Sequence, residues 1–156
     1  MKRFIFLLTV TILLLSSVCL LAAEPVKPGP RDRCPVCGMF VAPYPAWIAQ
    51  IEFNDGSRVF FDGAKDMFKF YLNLPAEGEG HSRKTIAGIY VTEYYSAKAA
   101  AADTLLYVVG SDVLGPMGKE LIPVAGKKAA QTFARDHAGR TILTFDQVTK
   151  KILAGL

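Results

Sequence analysis

The sequence contains the same succession of strand, strand, helix and strand signals twice, about 60 residues apart. This repetition constrains the fold more than any other feature. In the first copy, the Asn54-Asp55-Gly56 run predicts a tight hairpin turn, because Asp-Gly tolerates the positive φ angles of such turns. Apolar residues after Asp62 recur at the i, i+3 and i+4 spacing of one helix face. The first copy is therefore predicted to contain strand Trp47–Phe53, strand Arg58–Phe61, a helix over 64–72 that Asp62 caps and Pro75 ends, and strand Ile86–Tyr95.

The second copy repeats this order of elements with little sequence identity to the first. The pattern predicts strand Leu105–Val109, a long connection over Gly110–Glu120, strand Leu121–Val124, helix Lys127–His137 capped by Gly139, and strand Thr141–Phe145. Helices that pack on short strands joined by local connections are typical of an α+β fold. We therefore predict a duplicated ββαβ unit, with two small, mainly antiparallel sheets that each carry a helix and half-repeats at about 46–95 and 104–148.

The N-terminal segment, residues 1–23, is predicted to be a secretory signal peptide. Lys2 and Arg3 precede an apolar stretch that ends in small residues at Ala22-Ala23, which is the layout of such peptides. Two alternatives stay open: residues 4–23 are long enough for an uncleaved membrane helix, and Cys19 could carry the lipid of a bacterial lipoprotein, although Val18 before it is not small. The cleaved signal peptide and both alternatives predict an exported, periplasmic protein.

Composition and charge exclude several classes of protein. The chain is 51% hydrophobic and 21% charged, which is an ordinary globular composition. Lys2 and Arg3 leave with the signal segment, so the formal net charge falls from +4 to +2, too little to predict a nucleic-acid or anionic-membrane partner. Residues 24–33 contain three prolines and one glycine and are predicted to form an extended tether, which leaves 34–156 as the folded domain.

Cysteine use after the signal segment is sparse and local. Only Cys34 and Cys37 remain, so a disulfide-rich scaffold is excluded and stability must come from an apolar core. A Cys-x-x-Cys pair is compatible with half of a zinc site, a redox dithiol, a structural disulfide or a soft-metal site. A structural zinc site usually needs four ligands, and the sequence offers only His81 and His137 besides the two cysteines as further Cys or His donors. Whether either histidine adds a ligand stays open.

The methionines favour the soft-metal alternative. Copper(I) prefers thiolate and thioether ligands and accepts few of them. Met39 follows the second cysteine in Cys37-Gly38-Met39, and Met117 lies between a proline and a glycine, a setting that suits an exposed donor better than a core position. Met67 lies on the apolar face of the first helix and is predicted to be a core residue.

Six short motifs follow one another along the chain: Cys37-Gly38-Met39, Asn54-Asp55-Gly56, Phe61-Asp62-Gly63, Tyr107–Asp112, Gly115–Gly118 and Phe145–Val148. In this order they resemble the NosL family, whose members are accessory proteins of nitrous oxide reductase maturation. The resemblance extends from about residue 31 to about residue 150. It implies a duplicated ββαβ fold, in agreement with the local pattern, and a periplasmic, often lipid-anchored copper(I) chaperone.

The resemblance also implies ligands and partners. By position, Cys37 and Met117 are the implied copper(I) ligands, Met39 is a third candidate, and Cys34 is an addition that many members lack. Copper is implied to pass to an exported cuproenzyme such as nitrous oxide reductase. Whether a membrane copper exporter or a second copper chaperone supplies it stays open. The sequence shows no nucleophile–base constellation, so we expect neither an enzyme nor a small-molecule substrate. The open alternative is a periplasmic thiol-disulfide or structural adaptor protein with a Cys34–Cys37 disulfide.

Overall fold

The computed structural model describes residues 25–76, 78 and 80–156. The predicted signal segment, with its alternatives of an uncleaved helix and a lipid on Cys19, lies outside these residues. The described part contains seven strands and three α-helices. None of its helices has the length and apolar character needed to cross a membrane.

The first half forms a four-stranded antiparallel sheet around the predicted hairpin. Its strands are β1 (Ala49–Phe53), β2 (Arg58–Phe61), β3 (Ile86–Thr92) and β4 (Ala99–Ala101), in the order β2-β1-β3-β4. Gly56 adopts a φ of +80° in the turn, as the Asp-Gly signal predicts. Helix α1 (Ala64–Asn73) follows β2 and ends before Pro75. The sequence pattern does not indicate β4, because alanine is depleted in strands.

The second half repeats this arrangement with three strands. These are β5 (Leu106–Gly115), β6 (Gly118–Val124) and β7 (Thr141–Thr144), in the order β6-β5-β7, and helix α2 (Lys127–Asp136) connects β6 to β7. In both sheets the first strand therefore lies between its hairpin partner and the strand that follows the helix. This topology confirms the predicted α+β fold with its duplicated ββαβ unit. A short helix, α3 (Lys150–Leu153), follows β7.

The segment Gly110–Glu120 corrects one prediction, because it belongs to a hairpin and is not a long connection. β5 and β6 pair up to Val109 and pair again at Leu114 and Gly115, just before a tight turn made of Pro116 and Met117. The pairing register shifts within β5, and Gly110 takes a φ of +79° there. This bulge interrupts the apolar alternation on which a strand prediction depends, so the local pattern ends too early.

The larger core cluster is shared by both halves. Helix α1 packs against β1 and β2 of its own sheet and against β6 of the other sheet. The ring of Phe68 on α1 lies 4.9 Å from the ring of Tyr107 on β5 and 4.9 Å from that of Phe145 after β7. A second, smaller cluster around Phe133 packs α2 against the second sheet. Helix α1 therefore contacts both sheets. Its first turn is buried, whereas the first turn of α2 is largely exposed.

Residues 25–33, predicted to form a tether, are hydrogen-bonded to the first sheet at one point. The Val26 N–H donates to the Gln50 side chain at 3.2 Å. The Gly29 N–H then donates to the Asp32 carboxylate at 2.7 Å and closes a turn. Arg33 forms an isolated bridge with Phe40, and the cysteine motif lies between these two residues.

Candidate metal centre

The Cys-x-x-Cys segment is a tight loop closed by its own backbone. The Cys34 N–H donates to the Met39 carbonyl at 2.9 Å, and the Gly38 N–H donates to the Cys34 carbonyl at 2.8 Å. Gly38 adopts a φ of +79°, which residues with a Cβ rarely adopt. The Arg33 guanidinium donates to the Gly38 carbonyl at 2.8 Å and lies 3.7 Å from the centre of the Phe40 ring. The loop is therefore held without a disulfide, and both cysteines are free thiols.

The start of α1 corrects the prediction that Asp62 caps this helix. The N-cap residue is Gly63, and no side chain of the N-cap accepts a hydrogen bond. Instead, the carboxylate of Glu120 on β6 accepts the Lys65 N–H at 2.5 Å and the Leu121 N–H at 2.8 Å. A Cβ at position 63 would collide with that carboxylate, so a larger residue there would displace Glu120 from its place beside the helix start. Because a strand of the other half satisfies the free helix N–H, Asp62 is available for a different contact.

Four side chains meet where the cysteine loop approaches α1: Cys34, Cys37, Asp62 and Asp66. One ligand atom from each lies within 4.8 Å of those of the other three. The Cys37 thiol donates to Asp62 at 3.2 Å, and the Cys34 thiol donates to Asp66 at 3.6 Å. Three of the four residues are buried, and Cys37 is partly exposed. These four residues are named the thiol–carboxylate cluster below.

The cluster is largely shielded from water, and its charges are incompletely paired. Burial raises the pKa of Cys34 and of Cys37, whereas backbone N–H groups near the two sulfurs act in the opposite direction. Lys69 donates to one oxygen of Asp66 at 3.0 Å. One oxygen of Asp62 is buried and has no hydrogen-bond partner among the described residues. A buried polar atom without a partner is costly, so this oxygen marks a place where a cation or a donor would be stabilised.

The tip of the β5–β6 hairpin, which carries Met117, is fastened to the start of α1. The buried ammonium group of Lys65 donates to the Met117 carbonyl at 3.0 Å and to the Lys119 carbonyl at 2.5 Å. Lys65 directly precedes Asp66 of the cluster. The structure therefore brings the Met117 backbone to the helix that carries the carboxylates, while the Met117 side chain remains 47% exposed.

The other two methionines of the described chain have different surroundings. Met39 closes the cysteine loop through its carbonyl, and its side chain is half-buried. Met67 is fully buried in the shared core, where its position in the helical pattern predicts it. Of the predicted ligands, Cys34 and Cys37 thus lie together, Met39 is on the same loop, and Met117 approaches from the other half of the fold.

Neither histidine belongs to the thiol–carboxylate cluster. The His81 ring stacks on Phe53 with 3.8 Å between ring centres, and its Nε2 lies 2.8 Å from the Ser57 hydroxyl. The Nδ1 atom of His137 lies 3.3 Å from the Asp112 carboxylate. Both rings are thus engaged with groups outside the cluster.

Local sequence patterns did not reveal the two carboxylates. Asp62 resembles a capping residue, and Asp66 is unremarkable because acidic residues are common in the first turn of a helix. The available signal was the pair of aspartates four residues apart around the start of the first helix. Two thiols and two carboxylates at one point form a set of donors suited to a metal ion.

Comparison with known proteins identifies relatives of the chain. Residues 25–153 match the model of the NosL family. The copper-binding lipoprotein NosL of Stutzerimonas stutzeri is 28% identical over 138 residues, which are 83% of this chain and 68% of that protein. The crystal structure of the copper chaperone NosL from Shewanella denitrificans has the same fold, with a TM-score of 0.68 and 20% identity over 83% of this chain and 98% of that chain. The solution structure of apo-NosL from Achromobacter cycloclastes covers 67% of this chain and 87% of that chain, at 26% identity and a TM-score of 0.47.

Proposed function

The chain belongs to the NosL family, and from this premise we propose that it binds copper(I) in the periplasm and delivers it to an exported cuproenzyme, nitrous oxide reductase. The main support is the pair of sulfurs of Cys34 and Cys37, which one hydrogen-bonded loop holds close together. The relative from Stutzerimonas stutzeri is named for copper binding and as a lipoprotein, which supports both the cargo and the export.

The proposed ligands explain why the cargo would be copper(I). Thiolate and thioether sulfurs are soft donors, and copper(I) prefers them to oxygen and tolerates low coordination. Cys37 is partly exposed and Met117 is 47% exposed, so a ligand of a partner protein can approach both. Copper would then pass by exchange of sulfur ligands without being released into solution.

We propose that copper reaches the protein from a membrane copper exporter or a second copper chaperone. The protein would act as a carrier and not as an enzyme. The names of the relatives, which describe copper-binding and chaperone proteins, support this role. An N-terminal lipid would keep the carrier close to a membrane-bound copper source.

The first test is a titration of the purified, reduced protein with copper(I), without oxygen, in competition with a chromophoric copper(I) chelator. We expect one copper(I) per chain. Loss of a direct ligand should weaken binding by on the order of 100-fold in Cys37→Ser and by about 10-fold in Met117→Leu. The matched control is Met67→Leu, which replaces a fully buried core thioether and should leave the affinity for copper(I) unchanged.

Failure of the wild-type protein to compete with the chelator would contradict copper(I) binding. The recipient is tested separately, by mixing the copper-loaded protein with copper-free nitrous oxide reductase and measuring metal transfer after separation. Copper that stays on the carrier in that mixture would contradict the proposed recipient while leaving copper binding intact.

A further inference from the structure

We propose that a cavity in the second half of the fold binds an organic phosphate, meaning a phosphate group carried by a small organic molecule. The cavity has a volume of about 820 Å³ and lies beside the bulge of β5. Its walls also include the start of β7 and helix α3. It shares no side chain with the proposed copper(I) ligands, so the inference goes beyond the proposed function and does not depend on it.

The cavity exists because β5 loses a neighbouring strand partway along its length. β7 pairs with β5 only from Leu106 to Val109. Beyond Val109 the pairing of β5 with β6 is interrupted as well, and the Asp112 N–H donates to the His137 carbonyl at the end of α2, at 3.0 Å. Bulges of this kind are frequent next to functional sites, because they redirect side chains out of the regular alternation.

Three cationic side chains line this cavity: Lys119 from β6, Arg140 before β7 and Lys151 on α3. All three are exposed to solvent and are therefore accessible to an incoming ligand. Among the described residues, none of the three side chains forms a hydrogen bond or an ion pair. Cations from three separate elements that converge without an anionic partner indicate a site for an anion.

The acidic groups of the lining do not cancel these charges. The carboxylate of Asp112 lies 3.3 Å from the Nδ1 atom of His137 and forms no ion pair with a lysine or arginine of the described chain. The carboxylate of Leu156, another lining residue, forms no ion pair with the three cations either. The lining therefore keeps an excess of positive charge.

The bulge places Arg140 and a hydroxyl group in the cavity wall. The Arg140 N–H donates to the Val109 carbonyl at 2.8 Å, and the aliphatic part of its side chain packs on Gly110, where a Cβ would lie 3.0 Å from its Cγ and Cδ atoms. The hydroxyl of Ser111 is buried and has no hydrogen-bond partner among the described residues. An unpaired buried hydroxyl is costly, so an acceptor oxygen of a ligand would be stabilised there.

The chemistry of the lining favours a phosphate over a single carboxylate. A phosphate group offers more acceptor oxygens and more negative charge, which matches three cations and a free hydroxyl. The cavity is much larger than one phosphate group and lies in the usual range of small-molecule sites, about 300–1,000 Å³. Val109 and Ile152 add apolar surface to its walls. The phosphate is therefore inferred to carry an organic group that occupies the rest of the space.

The test is a titration of the purified, isotope-labelled protein with glycerol phosphate, followed through its amide resonances, with sodium chloride at equal ionic strength as the reference. We expect saturable shifts at amides that line the cavity, among them those of Gly110 and Ser111. Arg140→Gln should weaken binding by about 10-fold and Ser111→Ala by about 3-fold, because each removes a donor to the phosphate. The matched control is Lys128→Gln, at an exposed lysine outside the cavity, which should leave the affinity unchanged.

Glycerophosphoglycerol, the water-soluble headgroup of phosphatidylglycerol, is titrated in parallel. Tighter binding of this diester would assign the site to a lipid headgroup, and tighter binding of glycerol phosphate would assign it to a soluble phosphate ester. Shifts no larger than those in sodium chloride, with both compounds, would overturn the inference. So would Arg140→Gln and Ser111→Ala variants that are folded by circular dichroism and bind as tightly as the wild type. Both variants should keep the wild-type affinity for copper(I) in chelator competition, so the two proposals fail separately.

Discussion

The two helices of the duplicated unit begin with the same residue types and meet different surroundings. Each has a glycine at the N-cap, Gly63 in α1 and Gly126 in α2, and each has a lysine at its second position, Lys65 and Lys128. Lys65 is buried and holds the β5–β6 hairpin, whereas Lys128 is exposed. A lysine at the same helix position therefore holds the hairpin by hydrogen bonds in the first half and is a solvent-exposed charge in the second half.

The acidic positions of the cluster also have counterparts in the second half. Asp62 corresponds to Ala125, and Asp66 corresponds to Ala129, which are alanines on a more exposed helix start. Helix α1 differs because it contacts strands of both sheets. The comparison teaches that the candidate metal centre arises from the enclosed position of α1 and not from the ββαβ unit itself.

The largest expected effect comes from removing the apolar anchor of α1. Phe68 is fully buried, and its ring contacts Tyr107 and Phe145 of the second half. Phe68→Ala should therefore lower the free energy of unfolding by about 3–5 kcal/mol. Gln131, at the same position of α2, is exposed, so Gln131→Ala should change it by less than about 0.5 kcal/mol. Urea unfolding measures both values, and equal losses would contradict the different burial of the two helices.

The next effect concerns the carboxylate that bridges the halves. Burial raises the pKa of Glu120 from 4.5 to about 7. Between these values the native protein holds a proton that the unfolded chain has lost. The contribution of Glu120 to stability is therefore full below about pH 4.5 and falls by about 3 kcal/mol as the pH rises through 7. Glu120→Gln has no such proton, so its free energy of unfolding should lack this decline.

Urea unfolding at about pH 4.5 and about pH 7.5 tests this pH dependence. The matched control is Glu93→Gln. Burial alone would raise the pKa of Glu93, but hydrogen bonds from Ser96 outweigh it and the pKa is lowered. Its contribution to stability is thus present above the unfolded pKa and is lost only as the pH falls, so the control should retain the decline. If the free energy of unfolding of Glu120→Gln still falls between these two pH values, another titrating group causes the decline.

A smaller effect is expected from the lysine that fastens the hairpin. Lys65→Met keeps the aliphatic stem and removes the donors to the Met117 and Lys119 carbonyls, so copper(I) binding should weaken by about 10-fold. Lys128→Met is the matched control in the second half and should leave binding unchanged. Because Lys65 acts through Met117, Lys65→Met should add little in a Met117→Leu background. Independent, additive losses in chelator competition would contradict this positioning role.

Short-range features of the fold were predictable. The hairpin at Gly56, strand β2 and the extents of both helices follow from turn chemistry and apolar periodicity, which act over a few residues. The prediction of Asp62 as a helix cap was wrong, because Glu120 accepts the N–H that a local cap would have taken. The long connection over 110–120 was wrong because a bulge hid the continuing strand.

The sequence by itself determined the cysteine loop, since its spacing, its glycine and its closing hydrogen bonds all lie within residues 34–39. It also determined the repeated order of strands and helices, which depends on neighbours along the chain. Tertiary structure alone decided that Asp62 and Asp66 face these cysteines and that Lys65 reaches Met117. Those contacts join residues 25 to 52 positions apart. Their physical cause is the burial of α1 against both sheets, which no local stretch of sequence encodes.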